Sequence, residues 1–244
     1  MGNSAPDRRR IVIAIDGPAG SGKSTLAGLL ARRYGYTNIE TGAMYRALAL
    51  KAVETETSLD DPEALLQLAK ASRIELVPRP EYHTSPPTPG GLGTAEGNRV
   101  LLDGRDVTER IRQQDITGAS SRVSVHPPVR EWMVDRQREI GAAGGIVMEG
   151  RDIGTKVFPD AEVKLFLDAD PSVRGARRFL QTPAATEKEA SVLAELRARD
   201  ERDRTRANSP LVAAPDAVVI DSTNLTLDQV EHRAVEIIDA KIAR

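Results

Sequence analysis

The segment Gly17-Pro18-Ala19-Gly20-Ser21-Gly22-Lys23-Ser24 fits the pattern G-x-x-x-x-G-K-[ST], and its flanks leave few folds open to this chain. Just before it, Ile11-Val12-Ile13-Ala14-Ile15 is an unbroken apolar run, as a parallel strand covered on both faces requires. Just after it, Leu26, Leu29 and Leu30 recur at helical spacing, and Gly35 supplies a stop signal. A strand, a glycine-rich turn and a helix start bring several backbone N–H groups around one point, where a phosphate fits. Glycine there allows left-handed backbone angles and close approach of a ligand. The pattern predicts a nucleoside triphosphate held by Gly17 through Thr25, with Lys23 at the outer phosphates and the Ser24 hydroxyl on Mg²⁺.

Strand and helix signals then alternate along the chain. Asn38-Ile39-Glu40 reads as a short strand opening into a helix that runs to about Val53, and Pro62 starts another that ends near Ala71. Arg73 to Val77 alternates as a half-exposed strand does, and Asp103-Gly104 is a tight-turn dipeptide between Arg99-Val100-Leu101-Leu102 and Val107. Residues 73–108 therefore read as a small antiparallel insertion, interrupted by a proline- and glycine-rich flexible loop at 78–98. Helices are expected at about 109–118 and 127–141, with Trp132 in the core. Buried strands are expected at Gly145 to Glu149, Val163 to Leu167 and Ala217 to Ile220, and Asp170-Pro171 is a helix start. Five strands separated by helices give an α/β fold, a doubly wound five-stranded parallel sheet.

With 244 residues, one core with insertions is the expected organisation. The net charge of −2 offers no basic field for nucleic acid or a membrane surface. No cysteine is present, which removes disulfides, thiolate metal sites and thiol nucleophiles. No apolar run is long enough for a membrane helix, Met1 to Arg10 lacks a signal-peptide core, and Pro6 breaks a myristoylation pattern. A cytoplasmic monomer acting on small molecules is the expectation. The scattered His83, His126 and His232 read as surface residues.

In a doubly wound sheet, ligands sit beyond the carboxyl ends of the strands. Of two Gly-Arg-Asp tripeptides, Gly104-Arg105-Asp106 belongs to the insertion turn, whereas Gly150-Arg151-Asp152 follows an apolar strand and falls on the ligand edge. Arginine there can hold phosphate through two parallel hydrogen bonds. In Arg199-Asp200-Glu201-Arg202-Asp203-Arg204-Thr205-Arg206, helical angles place Arg199, Arg202, Asp203 and Arg206 within one arc; Asp200, Glu201 and Arg204 point elsewhere. Three arginines on one face repel one another unless an anion lies among them.

The P-loop unit, Thr41-Gly42-Ala43-Met44-Tyr45-Arg46, Glu149-Gly150-Arg151-Asp152-Ile153-Gly154, Phe158-Pro159-Asp160-Ala161 and Arg202-Asp203-Arg204-Thr205-Arg206 resemble bacterial cytidylate kinases in order and spacing. The resemblance covers the chain from Ile11 to the last helix. It departs from the family in the lengthened loop at 78–98 and in Glu149, where some relatives have Asp. It implies a core (about 11–40, 142–178 and 207–244), a monophosphate-binding region with the small sheet (about 41–141), a lid (about 179–206) and a flexible start (1–10).

The resemblance implies ATP in the P-loop and CMP or dCMP across the sheet edge. By it, Thr41, Tyr45, Arg46, Ser121, Arg130, Arg151, Asp152, Arg199, Asp203 and Arg206 bind the monophosphate substrate. Arg46, Arg151 and Arg206 would hold phosphate, Ser121, Arg130 and Asp152 the cytosine, and Arg199 and Asp203 the sugar, with Arg112 a weaker candidate. Lys23, Arg151 and Arg206 are the implied catalytic cations. A GTPase-type switch would need Asn-Lys-x-Asp, and the chain has no Asn-Lys pair. A binding module without turnover and another small-acceptor kinase, for uridylate or adenylate, stay open as alternatives.

Overall fold

The computed structural model describes residues 10–78, 98–180 and 189–243. Most of the loop expected at 78–98 lies outside them, as do His83, nearly all of the N-terminal stretch and part of the expected lid.

Five parallel strands form the central sheet: β1 (Val12–Asp16), β2 (Thr37–Glu40), β6 (Ile146–Gly150), β7 (Val163–Asp168) and β8 (Val218–Asp221). Their spatial order is β2-β6-β1-β7-β8. β1 is central and buried along most of its length, which is why its sequence is uninterrupted by polar residues. Ile13 and Ile15 face the helices α1 (Lys23–Tyr34) and α8 (Leu227–Ile242), where they pack with Leu26, Leu30, Ala234 and Ile238. Ala14 faces the other way, toward Met148, Val134 and a short π-helix at Ile153–Val157. Helices thus cover both faces, and the doubly wound expectation holds.

A second core joins α2 (Thr41–Glu54), α3 (Pro62–Lys70), α4 (Gln114–Val123) and α5 (Pro127–Gly141) to a small antiparallel sheet. That sheet has the order β3-β4-β5, from β3 (Ile74–Val77), β4 (Arg99–Leu102) and β5 (Arg105–Asp106). Asp103 and Gly104 both have positive φ (52° and 82°), the backbone of a two-residue hairpin turn. Three expectations are corrected here. The strand at Ala217 to Ile220, expected buried, is the edge strand β8, and with only β7 beside it Val218 and Val219 are exposed. The helix anticipated at 109–118 is a single 3-10 turn, Arg110–Arg112, followed by α4; Gln113 interrupts it with extended ψ of 153° and serves as the N-cap of α4. Trp132 is partly buried against the second core, with Arg136 5.9 Å from its ring centroid.

The remaining helices, α6 (Pro171–Leu180) and α7 (Glu189–Thr205), pack against each other beside the ligand edge. Asp170 starts α6 as expected, its Oδ1 accepting from the Ser172 backbone N–H at 2.8 Å. Among the described residues no helix is long and apolar enough to cross a membrane.

Candidate active site

Strand register brings five carboxylates to one edge of the sheet. Asp16 pairs with Gly150, Glu40 with Glu149, and Asp168 with Asp221, each at the carboxyl end of its strand. Side chains from several helices and turns add cations to this edge.

The loop between β1 and α1 is shaped by glycine. Gly17, Gly20 and Gly22 have φ of 148°, 77° and 97°. At Gly17 a Cβ would lie 2.0 Å from the Leu167 carbonyl oxygen, so only glycine fits beside β7. No side chain caps α1 at Gly22 and no acidic residue occupies its first turn, which leaves its N–H groups free for an anion. Ser21 is buried, and Lys23 donates to the Pro18 carbonyl oxygen at 2.7 Å. Burial, and then the positive charge of Arg151, push the Lys23 pKa down to about 7, against the pull of Glu149 and Asp16. Ser24 donates to Glu149 Oε1 at 2.5 Å. Burial also raises the Glu149 pKa, helped by the neighbouring Glu40. Pro18, Ala19 and Thr25 complete the loop and first helical turn in the predicted positions.

Across the edge, α2 begins directly after β2. Thr41 Oγ1 donates to the Glu149 carbonyl oxygen at 2.8 Å and so clips α2 to β6. Arg46 pairs with Glu40, leaving its Nε buried and unpartnered. Burial opposes the charge on Glu40, but Arg46 and then Arg112 outweigh it and lower its pKa. Arg130, on α5, is 3% exposed; it pairs with Asp152 Oδ2 at 2.5 Å and donates to the Ser124 carbonyl oxygen at 3.1 Å. Its guanidinium lies 5.6 Å from the Tyr45 ring centroid. Burial pushes the Tyr45 hydroxyl up to about 12, and that hydroxyl has no hydrogen-bond partner. Ser121 is buried on α4.

α7 lies on this site. Arg151 Nε donates to Asp203 Oδ2 at 3.0 Å, and Arg206 Nη1 lies 3.4 Å from Asp203 Oδ1. Arg202 Nε donates to Ser121 Oγ at 3.2 Å, joining α7 to α4. Arg206 follows the last residue of α7, continues its course through an N–H bond to the Arg202 carbonyl, and keeps Nη2 buried without a partner. Burial, and then Arg151, lower the Arg199 pKa to about 10. Burial works against the charge on Asp203 as well, yet Arg151, Arg199 and Arg206 hold its carboxyl below the usual range. The arginines of α7 are thus partly balanced by Asp203 itself. Arg204 is exposed, as a solvated charge would be, and lies 3.6 Å from Asp168. Asp200 is a correction: it does point away from the arginine face, yet it is buried and pairs with Arg174.

The predicted cations Lys23, Arg46, Arg130, Arg151, Arg199 and Arg206 thus gather with Ser24, Thr41, Tyr45, Asp152 and Asp203 at one edge. A cytidylate kinase family model matches residues 13–240. The chain belongs to the cytidylate kinase family. It is 44% identical to a cytidylate kinase of Solibacter usitatus, over 96% of this chain and 95% of that one. It is 45% identical to one of Geobacillus thermodenitrificans (96% and 99%) and 40% identical to one of Pasteurella multocida (94% and 95%).

Several residues at this edge of the cytidylate kinase fold escaped the sequence reading. Asp16, 4% exposed, accepts from the Ile153 and Gly154 N–H groups at 2.8 and 2.7 Å, and so ties the segment after Asp152 to the P-loop strand. Burial pushes its pKa up to about 7 against those two donors. Its place at the end of an apolar strand was the available signal. Glu40 and Arg174 carried no signal, because their partners are set by tertiary packing; Arg202 was expected on the arginine face, but its bond to Ser121 was not.

Proposed function

We propose that this protein transfers the γ-phosphoryl group of ATP to CMP or dCMP, giving ADP and CDP or dCDP. The observation that carries this reading is the convergence of like charges from separate elements. Lys23 of the P-loop feels Arg151 of the β6 edge and Arg199 of α7, and Arg199 feels Arg151 and Arg46. Mutual repulsion and burial cost each of them, and a polyphosphate between two nucleotides removes that cost.

Gly17 through Thr25 cradle the ATP phosphates, with Lys23 on the outer ones. Arg46, Arg151 and Arg206 hold the acceptor phosphate, and Arg199 and Asp203 reach its sugar. Ser121, Arg130 and Asp152 read the base. Cytosine offers an amino donor at N4 and acceptors at N3 and O2. A carboxylate accepts from N4, while a guanidinium and a hydroxyl donate to the acceptors, and the Arg130–Asp152 pair already presents both polarities side by side. Uracil reverses the polarity at positions 3 and 4.

The acceptor phosphate is ionised at neutral pH, so its oxygen attacks the γ-phosphorus in line without a general base. Catalysis is positioning plus positive charge: Lys23, Arg151 and Arg206 balance charge spread over the transferring group. A Mg²⁺ ion fits the residues present. Ser24 Oγ and Glu149 Oε1 are hard oxygen donors 2.5 Å apart. Mg²⁺ takes one or two protein ligands plus phosphates and waters, and there it would supply positive charge against the ATP phosphates. α7 covers the reacting groups and excludes water that would hydrolyse ATP.

The test is ADP release, measured with a coupled assay over a panel of nucleoside monophosphates. CMP and dCMP should give the highest kcat/KM, well above UMP, AMP and GMP. A different preferred monophosphate, or ADP release that needs none, overturns the proposal.

A further inference from the structure

Arg174 stands outside the substrate site yet touches two of the elements that form it, the P-loop and α7. It is 3% exposed, on α6, and its guanidinium has three partners. Nε donates to the Ala169 carbonyl oxygen at 2.9 Å, which fixes the side chain at the end of β7. Nη1 donates to the Ala19 carbonyl oxygen at 3.0 Å, inside the P-loop. Nη1 also pairs with Asp200 of α7, itself 6% exposed. The backbone is equally close: a Cβ at Gly20 would lie 3.0 Å from the Arg174 carbonyl oxygen. Gly175, the next residue, lets α7 approach, since a Cβ there would lie 3.1 Å from Leu193 Cδ1.

Each contact has a consequence for nucleotide handling. The Ala19 carbonyl and the Gly20 N–H belong to one trans peptide plane and point in opposite directions. A guanidinium holding that carbonyl from outside aims the Gly20 N–H inward, toward the phosphate position. It also polarises the peptide, which strengthens the N–H as a donor. Asp200 lies between Arg199 and Asp203, the two α7 residues proposed to reach the substrate. Fixing Asp200 therefore fixes the rotation and height of α7 over the site.

We infer that Arg174 and Asp200 form a tether that sets α7 against the P-loop, so that the lid cations arrive in register with bound ATP. Both are positioning residues; neither meets substrate. The inference rests on the phosphoryl-transfer reading. Breaking the tether leaves the phosphate cradle largely able to bind ATP, but α7 seats in more than one register. Transfer to CMP then slows, and water reaches the γ-phosphate more often.

The experiment compares wild type with Asp200→Asn and Arg174→Lys. It measures the MgATP dissociation constant, kcat for CMP, and inorganic phosphate released per CDP formed, all at least 15 °C below each protein's Tm. Wild-type transfer to CMP tests the underlying reading on its own, so the variants report only on the tether. For Asp200→Asn, MgATP affinity should stay within about 3-fold, kcat should fall about 10-fold or more, and phosphate release per CDP should rise at least 5-fold. Arg174→Lys keeps the charge but cannot hold three acceptors in a fixed fork, so it should show the same uncoupling. If Asp200→Asn does not fold, Arg174→Lys carries the test alone. A lowered Tm with wild-type kcat and wild-type coupling in a folded variant would mean that the pair only packs α6 against α7, and would overturn the inference.

Discussion

Replacing Asp152 with Asn separates reading of the base from handling of phosphate. The Asp152 side chain is 9% exposed, and Arg130 is its charged partner. In the proposed complex the same carboxylate accepts from the cytosine N4 amino group. Asparagine keeps the shape and one acceptor oxygen but loses the charge. A hydrogen bond to a charged group contributes about 1.5–3 kcal/mol. Since 1.36 kcal/mol is a tenfold change in rate, kcat/KM for CMP should fall about 10- to 150-fold. Uracil presents an acceptor at position 4, to which the new amide can donate, so UMP should lose less than about 3-fold or gain. Arg130 retains the Ser124 carbonyl, so the protein should stay folded with a lowered Tm. Steady-state ADP release with each monophosphate, well below Tm, measures both numbers. Equal losses for CMP and UMP would refute the reasoning and assign Asp152 to organising Arg130 and the phosphate site instead.

Lys23→Met should remove at least about 10²-fold in kcat, as loss of one preorganised charge does, while thermal unfolding shows Tm unchanged or raised, because a buried cation is gone; retained kcat contradicts the role. Arg206→Ala should lower kcat by on the order of 10³ with MgATP affinity nearly unchanged, whereas Arg204→Ala, an exposed charge, should change kcat by less than about 3-fold. Equal small effects of these two arginine variants in parallel assays would reduce the end of α7 to a solvated segment. Gly17→Ala places a methyl 2.0 Å from the Leu167 carbonyl oxygen and should lower Tm by roughly 10 °C or prevent folding; a wild-type melting curve would contradict the packing of β1 against β7.

What was legible in the sequence was local. The P-loop carries its own strand, turn and helix start, so Gly17 through Ser24 could be placed from one window. The sheet strands were placed to within a residue, as with Ala217 to Ile220 expected and Val218–Asp221 found, but burial was not: β8 was expected buried, and Val218 and Val219 are exposed at the edge of the sheet. The ligand-edge rule then separated the Arg151 tripeptide from the one at Arg105. Pairings across the fold were not legible. Arg130 and Asp152 meet although 22 residues apart, and Ser24 meets Glu149 across 125. Asp200 read as one more solvated charge in a run of charges, because burial against α6 depends on how two helices pack and leaves no mark on helical periodicity. Gln113 shows the same limit within a helix: its extended backbone divides a segment whose composition reads as continuous.

The central claim is that Lys23, Arg151, Arg199, Arg46 and Arg206 gather to pass one phosphoryl group between two nucleotides. Transfer of label tests it most directly: the wild-type protein is incubated with γ-³²P-ATP, Mg²⁺ and CMP, and the products are separated. The account predicts label in the β-phosphate of CDP, formed in step with ADP, with little labelled inorganic phosphate and little turnover when CMP is left out. Label appearing mainly as inorganic phosphate whether or not CMP is present would contradict it.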